Sequence, residues 1–83
     1  MAFEIFYKAS VAKDLKRVDK TKARALVLKL ESALSKNPDM GEPLKGAYQG
    51  LFKYRVGDYR VIYSKTAEGI LILRIAHRKE VYR

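Results

Sequence analysis

The chain has 83 residues, 48% of them hydrophobic, which suits a single domain over residues 1–83 with one core and leaves too little for two. Its 18 Lys and Arg against 9 Asp and Glu give a formal charge of +9, which points to a polyanionic partner, either nucleic acid or an acidic protein. The absence of cysteine excludes disulfides, a thiol nucleophile and Cys-based metal sites. Met1 opens no signal segment and no apolar run approaches the roughly 18 residues of a membrane helix, so the expectation is a cytoplasmic protein with no membrane partner.

Phe3, Ile5 and Tyr7 alternate with other residues and predict a short opening strand. Ser10 is placed to cap a first helix carrying Val11, Leu15 and Val18 at helical spacing. Asp19 can cap a second, from about Lys20 to Lys36, whose buried stripe is Ala23, Leu26, Val27, Leu30, Ala33 and Leu34. Lys13, Lys16, Arg17, Lys20, Lys22, Arg24 and Lys29 fall largely off these stripes. They form either a solvated helix surface or a docking surface for RNA phosphates, and charge alone does not choose. Asn37-Pro38 ends the helix, because proline lacks an N–H and pushes the residue before it out of the helical region. A loop is expected from there to Gly50, with Gly46 and Gly50 too isolated to cradle a phosphate.

From Leu51 the apolar period becomes two, and Gly57-Asp58 reads as a two-residue hairpin turn. The expected register sets Val56 opposite Tyr59, Arg55 opposite Arg60, Tyr54 opposite Val61, Lys53 opposite Ile62 and Phe52 opposite Tyr63. The core face is then Phe52, Tyr54, Val56, Tyr59, Val61 and Tyr63, with these tyrosines packing rather than serving as base platforms. Lys53, Arg55 and Arg60 share the other face. After a turn at Ala67-Glu68-Gly69, a last strand from Ile70 to His77 is expected to turn Leu71, Leu73 and Ile75 inward and Arg74 towards the basic side, with Arg78 just beyond. The same alternation puts His77, the single histidine, at the edge of the core. The fold class is α+β: an N-terminal strand, a two-helix hairpin and three antiparallel strands, with the helices on one face of a small sheet and the other face partly open.

Like charges directly opposite each other destabilise paired strands, so Arg55 facing Arg60 beside Lys53 calls for an anionic ligand or for splaying of the side chains into solvent. Between Lys45 and Arg83 cations far outnumber acids, which favours a site. The acids are scattered and none has metal-ligand spacing, so neither a two-metal nuclease nor any cofactor is expected. RNA, however, carries its own nucleophile. Its 2′-hydroxyl adjoins the scissile phosphate, so the protein need only remove that proton, stabilise the added charge and assist the departing 5′-oxygen. Flanking cations disfavour the charged form of Lys53, the direction a general base requires. Arginines can hold the phosphate bidentately, and an aromatic side chain can stack on an unpaired base.

Three segments carry a resemblance over nearly the whole chain: Leu44-Lys45-Gly46, then Lys53 to Tyr63 with its Gly57-Asp58-Tyr59-Arg60 turn, then His77-Arg78-Lys79-Glu80-Val81-Tyr82. Together they resemble the RelE branch of the RelE/ParE toxin superfamily, and the Arg-Lys-Glu-Val-Tyr ending is the part that ParE-type gyrase inhibitors usually lack. The resemblance implies an endoribonuclease that cuts messenger RNA in the ribosomal A site and is held inactive by a cognate antitoxin, RelB-like or another small protein. It aligns Lys53 with the general base and Arg60 with a phosphate-stabilising arginine. Arg78 aligns with the arginine at the leaving oxygen and Tyr82 with an aromatic that orients a base. Because a guanidinium gives up its proton with difficulty, charge stabilisation is the role assigned to Arg78. Arg55 matches a further basic position, and with Lys45, Arg74, Lys79 and Arg83 completes the candidate RNA-binding set. Where some RelE toxins carry another lysine, two residues before the base, this chain has Leu51. The competing readings are a ParE-like, non-nucleolytic gyrase inhibitor and a basic nucleic-acid-binding module without catalysis.

Overall fold

Burying alternate residues of two adjacent strands fixes their register, because a slip of one residue would turn every apolar side chain outward. In the computed structural model, which describes residues 3–77, β3 (Leu51–Val56) and β4 (Tyr59–Lys65) pair antiparallel in the expected register, with Arg55 opposite Arg60 and Lys53 opposite Ile62. Gly57 takes φ +59° and Asp58 does not share the positive φ, the pattern of a type II′ turn whose twist suits a hairpin. Val61 and Tyr63 are fully buried, and Phe52, Tyr54, Val56 and Tyr59 pack against the same cluster, so the expected core face is the observed one.

The sheet has five strands in the order β1-β5-β4-β3-β2. β1 (Glu4–Tyr7) lies parallel to β5 (Gly69–His77), and β2 (Glu42–Pro43) adds two residues antiparallel to β3. The stretch expected to be only loop therefore holds this edge strand and a single 3-10 turn, Gly46–Tyr48. Neither element carries a pattern, since two residues cannot show alternation.

β5 departs from the expected facing. Ile70 and Ile72 are fully buried and Ile75 nearly so, whereas Leu71 and Leu73 are half-buried. The reason is a bulge: Ile72 lies opposite Tyr63 and Arg74 opposite Ile62, which leaves Leu73 as the extra residue. Ile70-Leu71-Ile72-Leu73 is apolar at every position, so simple alternation had no polar residue to fix its phase. Ile75 keeps its inward place beyond the bulge, and His77 pairs with Tyr59 at the core edge.

Helix α2 (Lys20–Lys36) starts and ends where expected, with the Asp19 carboxylate accepting from the N–H groups of Thr21 at 3.1 Å and Lys22 at 3.4 Å. Its Leu26, Leu30 and Leu34 are buried against β4 and β5 residues of the core cluster, while Ala23, Val27 and Ala33 flank them half-buried. The Tyr7 hydroxyl bonds Glu31, tying β1 to this helix, and burial followed by that contact raises the Tyr7 pKa.

Helix α1 (Ala9–Lys16) has Lys8, not Ser10, at its N-cap. Ser10 is used elsewhere: its hydroxyl donates to the Leu73 carbonyl at 3.1 Å. One turn on, the Asp14 carboxylate accepts from the Ile75 N–H and from Arg74 Nε, each at 3.0 Å. β1 ends opposite Ile72, so α1 takes over where the parallel strand stops and satisfies the backbone edge of β5 that would otherwise lack partners.

Asp14→Ala should therefore cost about 1–3 kcal/mol, because it strands a half-buried N–H, whereas Asp19→Ala should cost about 1 kcal/mol as the loss of an exposed cap. Urea unfolding of the two variants gives the comparison. Equal small losses would remove α1 from its role as edge partner.

Candidate active site

Strand alternation places Lys53, Arg55 and Arg60 on the sheet face turned away from the helices. Arg55 and Arg60 are directly opposed on the second ladder rung from the β3–β4 turn, and Lys53 lies two rungs further along on the same face. With Glu42 and Tyr54 they line an open concavity of about 170 Å³. Lys53 is half-buried and Arg55 exposed, and the Arg55 Nε donates to the Gly57 carbonyl at 3.0 Å. That bond ties the guanidinium to the turn of its own hairpin. Among the described residues the Lys53 ammonium has neither a hydrogen bond nor an ion pair.

Glu42 was not foreseen as part of this site. It lies opposite Lys53 in the β2–β3 ladder and contributes a carboxylate to the wall of the concavity, although no ion pair joins the two. The segment leading to it is anchored from the far side of the sheet. The Tyr63 hydroxyl donates to the Pro38 carbonyl at 2.7 Å and accepts from the Gly41 N–H at 3.0 Å. Burial pushes the Tyr63 hydroxyl above its ordinary pKa, against the opposing pull of the Gly41 N–H and of Lys65, so the group remains a donor.

Other candidate residues lie elsewhere. Lys45 is exposed at the start of the 3-10 turn, and Arg74, although opposite Ile62, sends its guanidinium to Asp14 at the edge of the sheet. It is thus engaged by α1, not gathered into the concavity as its strand position implied. Leu51 is half-buried opposite Ser64. His77 packs edge-on against Tyr59 at a centroid distance of 5.3 Å and lines a separate hollow with Asp14 and Arg17. Arg78, Lys79, Tyr82 and Arg83 lie outside the described residues. Among the described residues no three His, Asp or Glu side chains come together in a way that could hold a metal ion. Among the described residues no helix is long and apolar enough to cross a membrane.

Residues 5–82 match the family described as the ParE toxin of type II toxin-antitoxin systems. The chain is 34% identical to Toxin RelE of Mycobacterium tuberculosis over 98% of its own length and 87% of that protein. It belongs to the RelE/ParE superfamily of type II toxins.

Solved structures agree with the RelE branch. The toxin-antitoxin complex RelBE2 of Mycobacterium tuberculosis contains a chain with a TM-score of 0.86 and 28% identity, covering 94% of this chain and 93% of that one. The archaeal RelE-RelB complex of Pyrococcus horikoshii gives 0.72 and 30%, covering 94% and 97%. In this RelE-like toxin the helix-free side of the sheet is the cationic one, and its concavity is built from a hairpin whose register is set by the opposite, apolar side.

Inorganic phosphate titrated into isotopically labelled toxin should shift the backbone amides of Lys53, Arg55 and Arg60 and leave those around His77 in place. The response should fade as ionic strength rises towards about 1 M, where the Debye length is about 3 Å. A uniform shift over the helices instead would mean that the concavity has no preference for phosphate.

Proposed function

We propose that this toxin is a ribosome-dependent endoribonuclease that cuts messenger RNA in the A site by attack of the 2′-hydroxyl on the adjacent phosphate. The observation that carries the reading is the open concavity at which Lys53, Arg55 and Arg60 converge, with the Lys53 ammonium lacking a partner among the described residues. Such a cluster is suited to a dianionic phosphorane, whose charge exceeds that of the ground-state phosphodiester.

In this mechanism Lys53, in its neutral form, takes the 2′-proton as the 2′-oxygen bonds to phosphorus. The bond from phosphorus to the 5′-oxygen breaks, and that oxygen takes a proton from water and leaves as a hydroxyl, while the 2′-proton on Lys53 is later lost to solvent. The products are a 2′,3′-cyclic phosphate and a 5′-hydroxyl end. Arg60 holds the non-bridging oxygens, and Arg55 adds a second positive charge from the facing strand. Arg78 neutralises charge on the leaving oxygen and Tyr82 stacks on a base, both by resemblance to RelE toxins. Glu42, opposite Lys53, places an acidic residue on the same wall of the concavity without an ion pair to the lysine. Arg55, Lys45, Arg74, Lys79 and Arg83 supply further RNA contacts. No resident metal is called for, because the substrate brings the nucleophile. The toxin acts in the cytoplasm and is silenced by an antitoxin of RelB type, the partner class named in the related complexes from Mycobacterium tuberculosis and Pyrococcus horikoshii.

Programmed ribosomes carrying a 2′-deoxynucleotide at the cleaved position should resist the toxin while the all-ribose messenger is cut, and mapped ends should carry a 5′-hydroxyl. Efficient cutting of the deoxy substrate would remove the mechanism. The family match to ParE toxins gives the competing reading, gyrase inhibition, its footing. It predicts lost supercoiling activity and no new messenger ends in the same cells.

Charge and chemistry separate when single cations are deleted from different places. Lys53→Ala and Arg78→Ala should each lower single-turnover cleavage by roughly 10² or more while ribosome binding persists. Lys13→Ala, on α1, should change only affinity and its salt slope, by about one counterion. Small, equal losses in all three would make the toxin a binder and not a nuclease.

A further inference from the structure

Tyr63 heads the fully buried side chains of the described core by size, its ring stacked on Phe52 with centroids 5.4 Å apart. A phenylalanine would fill that ring volume equally well. The hydroxyl therefore serves the segment it reaches, bonding Pro38 and Gly41 at 2.7 Å and 3.0 Å. That segment needs an anchor, because it runs directly into β2, an edge strand of only two residues. Its approach is also tight. A Cβ added at Gly41 would stand 2.6 Å from the Tyr63 hydroxyl oxygen and 2.7 Å from the Lys53 carbonyl oxygen, so the strap lies against the backbone of Lys53 itself. Lys65, two residues along β4, makes a second tie through its ion pair with Asp39 while its ammonium sits 4.8 Å from the centre of the Phe52 ring.

We propose that Tyr63 is a positioning residue for cleavage: its two hydrogen bonds hold the 38–41 strap and the Glu42 edge strand against Lys53, and so set where the Lys53 amine stands relative to the scissile phosphate. The inference rests on the ribonuclease reading above. Tyr63 touches no substrate and acts from the apolar side of the sheet, through the edge strand, on a group on the cationic side. Losing it should therefore affect the chemical step more than ribosome binding, since small misplacements of a reacting group are costly in rate even where affinity is kept.

The test is single-turnover cleavage of programmed ribosomes by the wild type, Tyr63→Phe, Gly41→Ala and Ile5→Val, each checked by thermal melting and by hydrogen exchange at the Gly41 amide. Tyr63→Phe keeps the ring and removes the hydrogen bonds. Gly41→Ala displaces the strap while leaving Tyr63 intact, and serves if the first variant folds poorly. Ile5→Val trims the core at β1, on the opposite margin of the sheet from the strap. The expected result is a fall of roughly 10- to 100-fold in maximal rate for both strap variants, with the half-saturating ribosome concentration unchanged, and a wild-type rate for folded Ile5→Val. Faster exchange at Gly41 should accompany the loss in Tyr63→Phe. If either strap variant is folded and cuts at the wild-type rate, or if Ile5→Val falls as far as they do, the positioning role is overturned. A wild-type chain that fails to cut overturns the ribonuclease reading and this inference together, a result distinct from an active wild type with an equally active Tyr63→Phe.

Discussion

The alternation of side chains across the β3–β4 hairpin governs most of what this toxin presents to its surroundings. Phe52, Tyr54, Val56, Tyr59, Val61 and Tyr63 can be buried together in only one register, and that register leaves Lys53, Arg55 and Arg60 side by side on the opposite surface. The electrostatic strain of facing arginines is thus imposed by the hydrophobic effect on the far side of the same strands. The register cannot change without exposing the core, so the two arginines stay opposite each other in the free protein.

This division of labour explains which features could be read from the residues alone. The hairpin register, both boundaries of α2 and its Asp19 cap follow from local rules: a period of two, a glycine turn, an acidic N-cap and an Asn-Pro stop. The membership of Lys53, Arg55 and Arg60 in one cluster follows from the same register. Failures occurred where the deciding partner was distant in sequence. Ser10 is a chemically reasonable cap, yet the Leu73 carbonyl claims its hydroxyl from 63 positions away. Arg74 sits on the strand position expected of it, but Asp14 draws its guanidinium to the sheet edge. The phase of β5 was hidden because four consecutive apolar residues leave a bulge no signature.

Glu42 shows the same limit at the site itself. A lone acid before a proline in a loop carries no periodicity, and only the pairing of β2 with β3 brings it opposite Lys53. The nearest sequence signal was Gly41, whose lack of a side chain allows the strap to lie close to Tyr63 and to the Lys53 carbonyl. The two faces of the sheet are therefore not independent. An aromatic core residue bonds the strap that leads into one edge strand, much as α1 uses Ser10 and Asp14 to complete the opposite edge at β5.

Pro43 gives the β2 margin a further property. A flat, fully hydrogen-bonding outer strand would be a template on which another chain could extend the sheet, a hazard for a small protein rich in β-structure. Here the margin is two residues long and one of them has no amide proton, so an incoming strand would find almost nothing to continue. The proline acts as a terminator of sheet growth, so the sheet ends beside the cationic concavity that Glu42 and Lys53 line.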